Sequence, residues 1–396
     1  MQSFTLPPAA AFVIDRLEDA GFEAYLVGGC VRDFLRGEAP HDVDITTSAL
    51  PTEMQRVFAD VRTVETGLRH GTLTVLVDGA PIEVTTYRVD GDYTDRRRPD
   101  SVTFTPSLTE DLARRDLTVN AMAYSPRRGL ADPFGGREDL AAHCLRAVGD
   151  PERRFTEDAL RILRVLRFAA TLDYTVEEDT AAAARKMASA VSFVAAERIR
   201  EELFRLILGK GAVRVLSEYR EVLSEVLPEA SLYPAFGDLP ESLPIRLAAL
   251  LLGGGAKTAE AALLRLRADR ATIDATLARC RLVTADILPT QASLCRLLRS
   301  EGPSALTDAL RLRAGLGHDD TAAARLADEI LRTGAPYRLS DLAIGGRDLI
   351  AIGIPRGPRL GVVLEALYGL IIEGKAENKK DALLSLASWI YNGGEL

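Results

Sequence analysis

From about residue 138 to the C-terminal end, apolar residues recur at helical spacing, whereas β-type alternation is confined to the first third of the chain. This change of period predicts an α+β protein, with a mixed sheet and its helices first and an all-α remainder after. An opening helix is predicted over 8–20, where Ala9, Phe12, Val13, Leu17 and Ala20 fall at helical spacing. Short strands follow at 24–27, 43–46, 72–77 and 82–87, with another near 122–124. Asp78-Gly79 is a strong hairpin signal between two of these, and Pro81 is expected to make the loop slightly longer than minimal. Beyond the strands, 156–170, 176–189, 195–209 and 211–226 are predicted helices. A proline-rich joint falls near 228–244, and further helices run from 245 to 392, one of them over 340–352.

The chemistry begins in residues 27–46, VGGCVRDFLRGEAPHDVDIT. The paired glycines Gly28-Gly29 form a turn leading into Arg32-Asp33, and Asp42 and Asp44 then alternate along an apolar run. In an extended strand two such carboxylates lie on one face, about 7 Å apart at roughly 3.3 Å of rise per residue. They repel each other unless a cation sits between them. Mg2+ is the simplest candidate, since it is commonly held by one or two carboxylates plus substrate phosphates. Asp-x-Asp also occurs by chance at solvated strand ends, and it holds a metal on the diphosphate in nucleotide-sugar glycosyltransferases. Here the glycine turn lies close to the N-terminus and just ahead of the acidic pair. That arrangement reads better as a nucleotidyltransferase palm, with glycines admitting a triphosphate and the next strand holding metal.

Glu83, in the alternating run 82–87, can complete a three-carboxylate cluster if its strand pairs beside that of Asp42 and Asp44. Such a cluster suits two metals about 3.5–4 Å apart in an in-line displacement. Arg114-Arg115-Asp116 and Asn120 follow, and these suit a nucleotide: guanidinium groups fork onto phosphate and an amide reaches ribose hydroxyls. In the helix over 156–170, Thr156 is the expected cap and Ala159, Ile162, Leu163, Leu166 and Ala170 the buried stripe. Glu157, Asp158, Arg161, Arg164 and Phe168 lie on another face. Asp158 and Arg161 are i,i+3 neighbours, worth only about 0.2–0.5 kcal/mol as a simple ion pair. A carboxylate beside a guanidinium also complements the Watson–Crick edges of cytosine and adenine. The carboxylate accepts from the exocyclic amine and the guanidinium donates to the adjacent ring acceptor. Uracil and guanine present a carbonyl there and leave polar groups unpaired.

The 396 residues suffice for two or more domains, and 47% hydrophobic with 27% charged residues is ordinary for a soluble protein. No apolar run reads as a membrane span, and the first residues lack a basic signal-peptide start. Cys30, Cys144, Cys280 and Cys295 are scattered without metal-ligand spacing, so a reducing cytoplasm is expected. A net charge of −8 argues against a generally basic nucleic-acid coat, leaving any contact to local arginine patches.

Four ordered motifs, Gly28-Gly29-x-Val31-Arg32-Asp33, Asp42-x-Asp44, Arg114-Arg115-Asp116-x-Thr118-x-Asn120-Ala121 and Glu157-Asp158-x-x-Arg161-x-x-Arg164-x-x-Arg167-Phe168, resemble the class II tRNA nucleotidyltransferase and bacterial poly(A) polymerase family. The resemblance covers about residues 22–210. Asp132-Pro133, Gly135-Gly136 and 145–149 look like its head–neck connection, and Glu197-Arg198 like the motif that braces the nucleotide-reading helix. It implies a DNA polymerase beta-like head over 1–138, a helical neck over 139–210, a body over 211–315 and a tRNA-binding tail over 316–396. It further implies that Asp42 and Asp44 bind Mg2+ with Glu83 assisting, that Gly28, Gly29 and Arg32 cradle the triphosphate, and that Arg115, Asp116 and Asn120 contact sugar and phosphates. Asp158 and Arg161 would act as a protein template, with Arg164 and Arg167 completing the nucleotide site. The implied partners are tRNA, CTP and ATP, with neither DNA nor a membrane.

Within the family, residues 88–100 look like the loop that members adding both C and A use to switch between them, and 67–72 like a segment of the tRNA-specific members. No long basic extension of the poly(A) type is seen. His41, His70, His143 and His318 make no His-Asp phosphohydrolase set. The segments 339–349 and 353–361 resemble the tRNA-binding tail, where Arg356 and Arg359 flank a Gly-Pro turn suited to phosphate. The alternatives are an A-adding or poly(A)-forming relative and a catalytically silent RNA-binding protein. The intact acidic set weighs against the second.

Overall fold

A computed structural model describes residues 6–40, 42–91 and 102–393. The chain forms two compact units, Met1–Pro228 and Glu229–Leu396. In the first, α1 (Pro8–Asp19) leads to β1 (Ala24–Val27), α2 (Gly29–Leu35), β2 (Asp44–Thr47), α3 (Pro51–Val57), β3 (Thr63–Val64), β4 (Thr72–Val77) and β5 (Ala80–Thr86). The short β6 (Arg88–Asp90) and β7 (Val102–Phe104) pair with each other as a separate ladder. After α4 (Leu108–Ala113), β8 (Ala123–Ser125) and β9 (Gly129–Ala131) complete a seven-stranded sheet of order β3-β4-β5-β2-β1-β8-β9. Only β2 and β5 run parallel in it, with Asp44 directly opposite Glu83. One part of the core gathers the wholly buried Tyr87, Leu112, Ala121 and Ala123 with Tyr25, Val27 and Val148.

The β4–β5 hairpin is tighter than expected. Val77 pairs with Ala80, so the loop is Asp78-Gly79 alone, both at positive φ (50° and 85°) as a primed turn needs. Pro81 lies inside β5 opposite Leu76. It is tolerated there because β2 covers β5 only from Glu83 onward, leaving an open edge that needs no N–H from proline.

α5 (Gly136–Ala141) packs onto a 3-10 turn at Thr118–Asn120. A β-carbon on Gly136 would stand 2.2 Å from the Thr118 carbonyl oxygen and 2.9 Å from Met122 Cγ. Gly136→Ala is therefore expected to destabilise this unit by about 3 kcal/mol, because backbone must move. Urea unfolding measures it, and wild-type stability of the variant would refute the packing account.

The predicted helix 156–170 is two helices, α6 (Pro151–Glu157) and α7 (Leu160–Leu172). Asp158 between them is extended (φ −147°, ψ 106°), and its carboxylate accepts from Leu160 N at 3.0 Å. A short acidic side chain that bonds nearby backbone competes with the helical ladder, and here it wins. Thr156 is no cap; its hydroxyl donates to Glu152 O at 2.8 Å within α6, which Asp150 caps. The expected all-helical continuation also contains a small parallel pair, β10 (Cys144–Leu145) with β11 (Thr175–Val176). α8 (Glu178–Lys186) and α9 (Ala196–Leu208) follow, and the helix predicted over 211–226 is split at Tyr219 into α10 (Ala212–Glu218) and α11 (Arg220–Val226).

The second unit is helical, running from α12 (Leu243–Leu251), α13 (Gly255–Arg265) and α14 (Arg270–Thr284) through α15 (Gln291–Glu301), α16 (Pro303–Gly315) and α17 (Thr321–Thr333) to α18 (Gly346–Ala351), α19 (Pro358–Ile372) and α20 (Lys380–Tyr391). The helix expected over 340–352 is thus shortened to α18, preceded by a 3-10 turn at Leu339–Asp341. Leu243–Arg265 is long and apolar enough to cross a membrane by length and composition. It is nevertheless interrupted at Leu252–Gly254, and Ile245 and Leu247 to Leu251 are buried inside the unit. Gly357-Pro358 opens α19, with Arg356 and Arg359 exposed beside it.

Candidate active site

β1 ends at Val27 and hands over to α2 through Gly28, whose φ of 82° is one that residues with side chains rarely adopt. A β-carbon there would also lie 2.9 Å from an Arg115 guanidinium nitrogen. The backbone angle favours glycine at 28, and any larger residue would also have to displace the Arg115 guanidinium. Gly29 has no such constraint, since its β-carbon would meet Arg32 only at 3.6 Å. α2 then presents Arg32, nearly buried, which donates to Asn120 Oδ1 (2.8 Å) and Asp33 Oδ1 (2.9 Å) and lies over the Phe168 ring at 5.0 Å.

On the far side of Gly28, β2 begins at Asp44, with Asp42 two residues before it. Asp42, Asp44 and Glu83 all reach solvent. The Asp44 carboxyl is nonetheless pushed above its ordinary value, first by the protein packed around it, then by the negative charge of Glu83, with Asp42 adding and Arg115 opposing. The strand pairing therefore brings the three expected acids into one electrostatic neighbourhood. Among the described residues no three acidic, imidazole or thiolate groups are gathered closely enough to hold a metal ion by themselves. The acids form an open patch whose donors are all carboxylate oxygens, a set that suits a hard cation such as Mg2+ completing its shell with phosphate oxygens.

Arg115 stands between this patch and the glycine turn. Burial draws its guanidinium below its ordinary pKa, opposed by Asp111. Its Nε is buried without a hydrogen-bond partner. Asp116 next to it accepts from Arg164 Nε at 2.6 Å, from its neighbour Leu117 N at 2.9 Å and from Asn120 Nδ2 at 3.4 Å. Burial alone would raise the Asp116 carboxyl. Arg164, Arg161 and Asn120 override it and hold the group well below the usual carboxylate range. With a depressed folded pKa, its stabilisation is complete above the unfolded value of about 3.9 and is lost as pH falls through the folded one. Asp116→Asn is accordingly expected to lose less stability per pH unit than wild type below about pH 4. Equal slopes in chemical denaturation across that range would contradict the linkage.

The start of α7 carries the remaining residues. Asp158 does not pair with Arg161, contrary to the helical-neighbour expectation, because the helix is interrupted at Asp158. Asp158 instead binds Arg198 of α9 (2.8 and 3.3 Å), while Arg161 donates to Glu157 Oε2 (2.8 Å) and to the Arg114 carbonyl (3.0 Å). Both side chains are more than nine-tenths buried as residues. Arg164 and Arg167 surround Phe168 at 5.7 and 3.6 Å, and Arg167 binds Glu202 at 2.7 Å. Sequence reasoning did not single out Asp111 and Glu202. The signal for Asp111 was its i+3 and i+4 spacing from Arg114 and Arg115. Of the expected switching loop 88–100, residues 92–100 lie outside the described residues.

A mixed sheet with a glycine turn, an acidic strand pair and a flanking set of arginines defines a nucleotidyltransferase head. Residues 24–146 match the family model described as the Poly A polymerase head domain. Residues 173–232 match the probable RNA and SrmB-binding site of polymerase A, and 246–387 the putative tRNA nucleotidyltransferase domain 2. The CCA-adding enzymes of Limosilactobacillus fermentum and Lactobacillus helveticus are both 37% identical to the chain, over 95% and 94% of its length and the same shares of theirs. The crystal structure of the Bacillus stearothermophilus CCA-adding enzyme in complex with CTP superposes with a TM-score of 0.78 at 29% identity, covering 98% of each chain. That of the Thermotoga maritima CCA-adding enzyme complexed with tRNA shares the fold, with a TM-score of 0.71 at 20% identity over 97% of this chain and 96% of that one. The chain belongs to the CCA-adding enzyme family of class II tRNA nucleotidyltransferases.

Proposed function

We propose that the protein adds C, C and A in turn to the 3′ end of tRNA from CTP and ATP, without a nucleic-acid template, in the cytoplasm. The observation that carries the reading is the placement of Asp44 opposite Glu83 beside Gly28 and Arg115, with Asp158 and Arg161 at the start of α7 in the same unit. Asp42 and Asp44 would hold Mg2+ with Glu83 assisting, and the metal would supply charge neutralisation on the phosphates and a more acidic 3′-hydroxyl. Gly28, Gly29 and Arg32 admit and hold the triphosphate, while Arg115, Asp116 and Asn120 orient sugar and phosphates. The RNA 3′-oxygen attacks the α-phosphorus, the bond to the bridging oxygen breaks, and pyrophosphate leaves. Asp158 and Arg161 select the base, with Arg164 and Arg167 setting the local charge. We assign 1–138 as the head, 139–210 as the neck, 211–315 as the body and 316–396 as the tRNA-binding tail. Solved relatives described as complexes with CTP, ATP and tRNA support the choice of substrates.

The test uses tRNA ending before CCA, after C and after CC, with CTP and ATP supplied separately and together. C addition to the first two and A addition to the third are expected. Incorporation of A alone onto the CC end would replace the reading with an A-adding enzyme, and long A tails with a poly(A) polymerase.

A further inference from the structure

Asp111 on α4 is completely buried, yet it is not one of the groups assigned to nucleotide or metal. One carboxylate oxygen accepts from Arg114 Nε (3.0 Å) and from the backbone N–H of Arg88 (3.3 Å), and the other faces Thr46 Oγ1 at 3.2 Å, whose one proton is shared with the Thr85 carbonyl, with Arg115 3.7 Å away. These partners come from four functional places. Thr46 lies two residues beyond Asp44 on β2, and Arg88 opens the strand that follows the one carrying Glu83. Arg115 stands over Gly28. Arg114, fixed by its side chain, offers its carbonyl to Arg161 at 3.0 Å. A buried carboxylate held this way is costly to disturb, and its bond from Arg114 is of the strong, charge-assisted kind.

We propose that Asp111 is a positioning residue for base selection: through Arg114 it fixes Arg161 relative to the acidic strand pair, so that base reading and phosphate chemistry share one frame. The proposal rests on the function proposed above. A role limited to folding lowers the active fraction equally for every nucleotide. A positioning role changes the ratio between nucleotides.

The experiment measures kcat/KM for CTP and for UTP on tRNA lacking CCA, and the binding of each nucleotide by titration calorimetry, in wild type and Asp111→Asn. The expected result is a fall of about tenfold in the CTP-over-UTP preference, carried mainly by KM for CTP. An unchanged ratio, whatever the loss of rate, overturns the proposal. If Asp111→Asn does not fold, Arg114→Lys is measured in its place; it keeps the charge but loses the guanidinium fork on Asp111, and the same fall is expected. Should wild type add neither nucleotide, the proposed function fails, and the inference is decided by calorimetry alone. A binding preference for CTP that is lost in the variant then supports it, and equal preference in both proteins, or none in wild type, overturns it.

Discussion

Asp42→Ala is expected to abolish incorporation of both C and A, by about 10³-fold or more, while the protein unfolds at the wild-type urea concentration. The two halves of this result have separate causes. Asp42 is exposed and precedes β2, so truncating it removes little packing, and surface changes of that kind stay within about 0.5 kcal/mol. In the proposed reaction its charge would be one of three acting on a common cation, and a metal there would contribute several kcal/mol, at about 1.4 kcal/mol per tenfold in rate. Single-turnover incorporation with CTP and with ATP measures the loss. Activity retained above about a tenth of wild type would remove Asp42 from the metal set.

Arg161→Ala is expected to lower the CTP-over-UTP preference by about 10²-fold, a larger change in selectivity than Asp111→Asn. The variant is clean because Glu157, which loses Arg161, keeps Arg154 at 2.8 Å and Arg153 at 3.4 Å and is not left as an unpaired buried charge. Asp158→Ala is less clean, since it strands Arg198 as well. Under the proposed base-reading role, the geometry around Asp158 would make selection sharp. A carboxylate offers about four acceptor positions, and three are taken by the two Arg198 nitrogens and Leu160 N. One remains, matching the single exocyclic amine of cytosine or adenine. Competition between CTP and UTP in one reaction reads the ratio directly; an unchanged ratio would falsify the template role of Arg161.

Much of the head was legible because strand periodicity and acidic spacing are local signals. Alternation at 43–46 and 82–87 located the two strands whose pairing sets Asp44 opposite Glu83. The break at Asp158 was not legible, because the apolar stripe of Ala159, Ile162, Leu163 and Leu166 continues in phase and hides a one-residue competition between side chain and backbone. For the same reason the expected Asp158–Arg161 pair gave way to partners on α9 and α6, a tertiary choice that spacing does not encode. Asp111 escaped notice because an acid three and four residues before two arginines reads as an ordinary solvated helix face. Only the fold shows it at zero exposure. The helical unit from 229 onward was legible as helices, with ends shifted where a glycine or a 3-10 turn cuts a stripe short, as at Leu252–Gly254.

The Phe168 ring collects Arg32, Arg164 and Arg167 from two helices, yet each of these cations already has a carboxylate: Asp33, Asp116 and Glu202. An anion arriving there does not meet bare positive charge. It must exchange places with resident acids that stay within reach. In the proposed reaction such a site would give up affinity but reset itself, because the acids would reclaim their arginines as a polyanionic product departs. For an enzyme that must work several times on one RNA end, ease of clearing the site between rounds matters as much as tightness of loading it.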